Sequence, residues 1–358
     1  MRHRGNSGTP TEGAGHDLRH HGDADLRAGL EDFAVNVRAR TPPEFVQRAL
    51  ACDIPRWSAY PDWAPAAAAI ARRWGVAKEM VLPTSGAAEA FTLVARALDI
   101  RRPAVVHPQF TEPEAALRRA GHDVARVVLG RPFALEPGLV PDAADLVVVG
   151  NPTNPTGRLH PAHVLRRLAR PGRVLLVDEA FLDEVGDEHS LIAPEMPGVL
   201  VTRSLTKAFS IAGVRAGYIV GDPELVARLR AEQTPWSVSS PAITVMRACT
   251  SDDALAFVRR GSASLVEARD DLVRRLEALG LWVAPSASPF VLVDTSPIRA
   301  GESLREPLAG LGFAVRRCET FPGLGPAWLR IAVRTPDAHA RLAAAIASLR
   351  EGKEGARP

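Results

Sequence analysis

Lys207 follows Ser204-Leu205-Thr206 and precedes Ala208-Phe209-Ser210, a stretch of small and apolar residues behind a β-branched run. An amine in such surroundings is held below its usual pKa and can attack a carbonyl carbon, which suits Schiff-base chemistry. A solvated lysine on a surface turn would do none of this. Ser204 and Arg215 flank it and could hold a phosphate. Asp178 ends the run Arg173-Val174-Leu175-Leu176-Val177, so its carboxylate falls at the carboxyl end of a buried strand. That is costly unless a cation faces it, and a protonated pyridine nitrogen would be one. A cap for the residues after Glu179 is the simpler alternative.

Two further segments could hold a ligand. Thr84-Ser85-Gly86-Ala87-Ala88-Glu89 leaves a strand, turns at glycine and opens a helix, where free N–H groups and the helix dipole attract phosphate. A plain strand-to-helix turn accounts for that segment equally well. Gly150-Asn151-Pro152-Thr153-Asn154-Pro155-Thr156-Gly157 follows another apolar run. Its two Asn-Pro pairs predict an extended, stiff loop that presents Asn154 where open αβ sheets bind ligands. A rigid turn without a ligand is the other reading.

Positioning these residues requires several short strands. Strands are predicted at 80–84, 104–107, 124–129, 145–150, 173–178, 199–204 and 216–221, with helices at 87–98, 112–120 and 161–169 between them. Near-continuous apolar strands separated by helices imply an α/β architecture with a mostly parallel sheet covered on both faces. After about Pro223 the rhythm changes. Helices at 223–232 and 252–279 precede strands at 289–294, 313–316 and 328–333 and a last helix at 337–350, as in a smaller α+β domain. The expected organisation is a leader or arm at 1–32, a connection and part of the small domain at 33–60, a large domain at 61–250, a small domain at 251–350 and a frayed tail at 351–358.

The 358 residues are 46% hydrophobic and 24% charged, enough to bury a sizeable core. No apolar run approaches the roughly 18 residues of a membrane span, and the polar N-terminus lacks the apolar core of a secretory signal. A net charge of +3, with pairs such as Arg166-Arg167 and Arg269-Asp270-Asp271 read as solvated helix faces, argues against a nucleic-acid partner. Cys52, Cys249 and Cys318 lack disulfide or metal spacing, so no metal is expected and the cytoplasm is the natural compartment.

Asn-Pro-Thr-Gly at 154–157, Asp-Glu-Ala-Phe at 178–181 and Ser-x-Thr-Lys at 204–207 with Arg-x-Gly at 215–217 occur in one order along the chain. Together they resemble the class I/II aminotransferases, fold-type I enzymes that use pyridoxal 5'-phosphate, over roughly residues 20–350. The resemblance implies a seven-stranded sheet in the large domain. It implies that Lys207 carries the cofactor as a Schiff base and that Asp178 pairs with the pyridinium nitrogen. Asn154 would donate to the phenolic oxygen, and Gly86, Ala87, Ser204 and Arg215 would bind the phosphate. Phe110 takes the place of the aromatic residue that stacks on the ring. Arg330, in Trp328-Leu329-Arg330, matches the arginine that clamps a substrate carboxylate. Tyr60 matches a tyrosine that reaches the cofactor phosphate of a partner subunit, so a homodimer with shared sites is expected, acting on a small amino-acid substrate.

Among branches of the family, the chain is similar to histidinol-phosphate aminotransferases and to the threonine-phosphate decarboxylases of cobalamin biosynthesis. His20-His21-Gly22-Asp23, the stretch from Leu30 to Asn36 and Val37, and Arg316-Arg317-Cys318-Glu319 resemble the decarboxylases. So does Phe181, which stands where most aminotransferases have tyrosine. By that resemblance Arg316 and Asn36 join Arg330 at the substrate, and the reaction is decarboxylation of O-phospho-L-threonine to 1-amino-2-propanol phosphate. The sequence departs from that pattern at Asp23 and at Arg38-Ala39-Arg40-Thr41. Transamination is the rival reaction, and a non-catalytic cofactor-binding regulator a more distant one.

Overall fold

A computed structural model describes residues 17–20, 27–37 and 41–354. Of the leader or arm predicted at 1–32, residues 1–16 and 21–26, with the His21–Asp23 element, lie outside the described residues, as do Arg38–Arg40. The chain begins with β1 (Glu31–Phe33), α1 (Glu44–Asp53) and α2 (Ala64–Trp74). It continues through β2 (Val81–Ser85), α3 (Ala87–Ala97), β3 (Pro103–His107), α4 (Glu112–Arg119), β4 (Ala125–Val128) and β5 (Leu146–Gly150). Next come α5 (Ala162–Arg166), β6 (Val174–Asp178), β7 (Val199–Ser204), β8 (Ala216–Gly221), α6 (Pro223–Glu232) and α7 (Ser240–Ala248). The last elements are α8 (Asp252–Ala278), β9 (Trp282–Val283), β10 (Phe290–Asp294), α9 (Arg305–Gly310), β11 (Phe313–Arg317), β12 (Trp328–Ala332) and α10 (Pro336–Glu354).

Seven strands form one sheet in the order β2-β8-β7-β6-β5-β3-β4. Pairing is parallel from β7 through β4, whereas β8 runs antiparallel to both neighbours. The centre of this sheet is buried on both sides: every residue of β3, β5, β7 and β8 is buried. This explains why these strands read as near-continuous apolar runs, with the polar residues of β7 and β3 gathered at their carboxyl ends.

The second sheet, β1-β11-β12-β10-β9, has a divided character. Along β12, Leu329 and Ile331 join the core formed with Leu272, Leu276 and Leu342 of the flanking helices. Trp328 instead packs against the core of the large sheet, as do Trp282 of β9 and Leu292 of β10. The alternation of a strand thus gives one face to the small domain's own core and the other to its neighbour. Arg330 is on the second face.

Several boundaries differ from expectation. The helix predicted at 161–169 is only α5, because Pro161 precedes it and Leu168 and Ala169 turn back toward the core. α10 runs to Glu354, so the tail predicted to fray from 351 is helical for its first residues, while 355–358 lie outside the described residues. β1, β9 and α1 are too short or too weakly patterned to be read from periodicity. α7 was also missed, although Ser239 at its start accepts from the Ala242 N–H and Pro241 follows, a recognisable helix entry. α1 packs against α7, and its Val46 belongs to the large-sheet core. Asp271, expected to be solvated, receives Arg275 and contacts His339 Nδ1 at 3.0 Å. No described helix is long and apolar enough to cross a membrane.

Candidate active site

The carboxyl ends of β5, β6 and β7 converge on a cavity of about 490 Å³ between the two sheets. Its walls include Ala87, Phe110, Asn154, Asp178, Ser204, Lys207 and Arg215 from the large domain, with Asn36, Arg316 and Arg330 from the second sheet side. Residues predicted from separate motifs are therefore brought together, and Lys207 is half-buried among them.

The predicted phosphate cradle is built from absences. Gly86 has φ +73°, and a Cβ there would lie 2.8 Å from Nη2 of Arg215. A Cβ on Gly217 of β8 would lie 2.8 Å from the Gly86 carbonyl carbon and 2.9 Å from the Ala87 nitrogen. Two glycines thus let the helix start, the arginine and β8 close on one another. The first turn of α3 has no side-chain cap, so its N–H groups remain for an anion. Ser204 Oγ lies 2.8 Å from Thr206 Oγ1 at the same end, and Arg215 is anchored by Nη1 donating to the Ala212 carbonyl at 3.0 Å.

Asp178 is buried at the end of β6. Burial pushes its carboxyl up to about 6, against hydrogen bonds from Thr202 and the Ala180 N–H that lower it; Glu179 raises it further and Lys207 lowers it. Both hydrogen bonds go to Oδ1, each at 3.1 Å, leaving Oδ2 to the cavity. The contact to the Ala180 N–H is the capping role predicted as the simpler alternative, and it occupies Oδ1 alone. Thr202 was not foreseen: it is Asp178's partner in the β6–β7 register, which only strand pairing reveals.

Next to it, the side chains of Glu179 and Arg203 are fully buried and paired at 3.0 Å. Ser190 Oγ and the Leu191 N–H also donate to Glu179, at 2.6 and 2.8 Å. Asp183 accepts from Arg203 as well. This network holds the turn after Asp178.

The Asn154 loop is folded back rather than extended. Thr153 Oγ1 donates to the Gly150 carbonyl at 2.7 Å and the Gly157 N–H to the Thr153 carbonyl at 2.6 Å, so these bonds close a turn that proline pairs alone do not specify. Gln109 Oε1 accepts from the Gly150 N–H at 2.7 Å and ties the loop to the segment bearing Phe110. At the strand end before Phe110, buried His107 Nε2 lies 2.7 Å from Glu114 Oε2. Burial would raise the Glu114 carboxyl, but His107, Arg126 and Arg118 outweigh it and hold it at about 2.

Arg330 Nη1 donates to Asn154 Oδ1 at 2.6 Å and Nη2 to the Ala34 carbonyl at 2.5 Å. With the Asn36 amide turned to satisfy its neighbours, its oxygen also accepts from Arg330 at 3.1 Å. Arg316 is buried, with Nη2 donating to the His20 carbonyl and to Thr320 Oγ1, both at 2.8 Å. Leu18 O accepts from Thr111 Oγ1 at 2.6 Å, so residues 17–20 bridge the two sides of the cavity. Phe181 meets Phe290 edge-on, with ring centroids 5.0 Å apart, and presents no hydroxyl to the cavity. Tyr60 is not in this cavity. It is 78% exposed and stacks on Trp236 with centroids 4.4 Å apart.

These features fit pyridoxal 5'-phosphate: one cavity lined by an aromatic ring, Phe110, a buried carboxylate, Asp178, an amine, Lys207, and the Arg215 guanidinium beside an uncapped helix start. The matching family model, aminotransferase class I and II, covers residues 29–346. The histidinol-phosphate aminotransferase of Mycobacterium bovis is 45% identical over 320 residues, 88% of this chain and 87% of that protein. The threonine-phosphate decarboxylase of Salmonella typhimurium is 30% identical over 342 residues, 90% of this chain and 92% of that protein. Among solved structures, the histidinol-phosphate aminotransferase from Clostridium acetobutylicum superposes with a TM-score of 0.82 at 23% identity, covering 90% of this chain and 100% of that one.

Proposed function

The chain belongs to the class I and II aminotransferase family, whose cofactor is pyridoxal 5'-phosphate, and from that premise we propose that it is an aminotransferase of the histidinol-phosphate type. The 45% identity to the mycobacterial histidinol-phosphate aminotransferase, over 88% of the chain, carries this reading. It reverses the order expected from the sequence motifs, which put decarboxylation first.

When bound, the cofactor is an electron sink for the pair released at the substrate's Cα. Lys207 holds it and, once displaced by substrate, takes the Cα proton on Nζ. Asp178, whose Oδ1 is engaged by Thr202 and the Ala180 N–H, would offer Oδ2 to the ring nitrogen and favour its protonated form. Asn154 has its Oδ1 engaged by Arg330, so its Nδ2 is the donor that remains for the phenolic oxygen. Phe110 limits the ring's tilt. Gly86, Ala87, Ser204 and Arg215 hold the phosphate, and Tyr60 reaches the same phosphate in a second copy of the chain within a homodimer.

Arg330 and Arg316, with Asn36 beside them, give the substrate side two guanidinium groups. One pair of receptors suits both a phosphorylated amine and the dicarboxylic 2-oxo acid that must follow it into the same cavity. Decarboxylation of a phosphorylated amino acid is the second reading, favoured by Phe181 in the cavity wall and by the His20 ring against Arg317, 3.2 Å from Nη2.

The deciding experiment incubates cofactor-loaded protein with histidinol phosphate and 2-oxoglutarate, following glutamate. In parallel, O-phospho-L-threonine is supplied without oxo acid, following carbon dioxide. Glutamate in the first and no carbon dioxide in the second is expected, with turnover abolished in Lys207→Ala. Carbon dioxide without glutamate would reverse the reading, and turnover of neither would overturn both.

A further inference from the structure

The contact between the domains has a second, polar-aromatic anchor away from the cavity. Arg131, in the loop after β4, lies over two indoles, its guanidinium carbon 4.6 Å from the ring centroids of both Trp282 and Trp328. The indoles themselves meet edge-on with centroids 5.9 Å apart. Arg131 also pairs with Asp294 at the end of β10. Phe133, two residues further on and buried, meets the same indoles at 6.2 and 5.7 Å. One loop of the large domain thus grips three adjacent strands of the small sheet, with Arg131 on the solvent side and Phe133 on the core side.

The gripped strands carry the substrate-side arginines. Trp328 and Arg330 are two residues apart on β12, hence about 7 Å along one face. Asp294 is the register partner of Trp328, and Leu292 of Arg330. Arg316 of β11 is the partner of Arg330. A guanidinium in contact with two aromatic rings and paired with a carboxylate has restricted rotation and resists sliding. A tilt of the small sheet at this end would be carried along β12 into the Arg330 guanidinium, which must meet a planar anion within a few tenths of an ångström.

We infer that Arg131 is a positioning residue: gripping Trp282, Trp328 and Asp294, it sets the small sheet against the large domain and so holds Arg330 and Arg316 at the spacing that receives substrate anions. The inference rests on the reading that those two arginines bind the substrate.

The test uses the full chain loaded with cofactor. Arg131→Met keeps most of the side-chain volume but removes the charge and the flat guanidinium. Succinate, a dicarboxylate that cannot react, serves as probe, with binding followed by the cofactor's visible absorbance. The expected result is about tenfold weaker succinate binding and a similar rise in donor KM, with cofactor content unchanged and kcat within about threefold. Arg131→Lys, which keeps the ion pair without the flat stack, is expected to fall between. Arg330→Lys is the reference and should weaken succinate at least as much. Weakened binding in Arg330→Lys with normal binding in Arg131→Met overturns the inference alone, even if thermal stability drops. Normal binding in both overturns the anion-binding reading of Arg330 and the inference with it. Should Arg131→Met not fold, Asp294→Asn removes the ion pair while leaving both indoles, and unchanged succinate binding there and in Arg131→Lys overturns the inference.

Discussion

Arg330 on the small sheet and Asn154 on the large one meet directly, guanidinium Nη1 donating to amide Oδ1 at 2.6 Å. The bond fixes which way the amide faces and couples Arg330, the proposed substrate-binding arginine, to Asn154, the proposed donor to the cofactor. Asn154→Asp keeps an acceptor for Arg330 but removes the N–H donor and neutralises the guanidinium. The expected outcome is a rise in donor KM of about tenfold or more together with a shift of the cofactor's visible absorbance titration to higher pH. A change in one without the other would show that the two functions are not joined through this bond.

Asp178 carries a burial cost that the proposed pyridinium partner would offset. Burial raises its carboxyl from 3.8 to about 6, so between those values the folded protein without cofactor binds more protons than the unfolded chain. This group's contribution therefore worsens as pH rises from about 4 through 6, by up to roughly 3 kcal/mol. Asp178→Asn should make the cofactor-free protein more stable than wild type at pH 8 and little different at pH 4. Activity should nevertheless fall by about a hundredfold or more. Thermal unfolding at the two pH values, with cofactor removed, checks the sign.

Phe181 packs against Phe290 at the cavity wall, where it offers no hydrogen bond. Phe181→Tyr adds a donor near the proposed position of the phenolic oxygen. That oxygen should then stay ionised to lower pH, moving the absorbance titration down by about one unit. An unmoved titration would place the ring edge away from that oxygen.

The Arg203–Glu179 pair supports the turn after Asp178. Arg203→Met leaves a fully buried carboxylate without its cation and should destabilise the protein by about 3–5 kcal/mol in urea unfolding. The double variant Arg203→Met with Glu179→Gln should recover part of that loss, because the fully buried charge is gone and the Asp183 carboxylate that also loses Arg203 is partly exposed. If both variants unfold alike, the pair is not what stabilises this turn.

The large-domain sheet was legible because both faces of its centre are buried, which makes β3, β5, β7 and β8 readable as largely apolar runs that end in His107, Gly150, Ser204 and Gly221. Lys207, Asp178, Asn154 and the Gly86 turn were found for a related reason: each sits just after such a run, where a ligand end is predicted before any contact is known. Short elements were not legible. β1 has three residues and β9 two, too few for a period to show, and both exist only because a partner strand is present.

Relationships between distant segments were decided by tertiary structure alone. Nothing in Thr202 announces that it will hold Asp178, because that bond follows from register. Nothing in Arg131 announces two indoles more than a hundred residues away. The sequence by itself determined which residues could do the chemistry, since residue type and its place after a buried strand are local properties. Their spacing across the cavity, with Arg330 reaching Asn154 and Arg316 beside it, depends on how one sheet packs on the other. That packing is a sum of many contacts between distant segments, none of which is written in the local pattern of either.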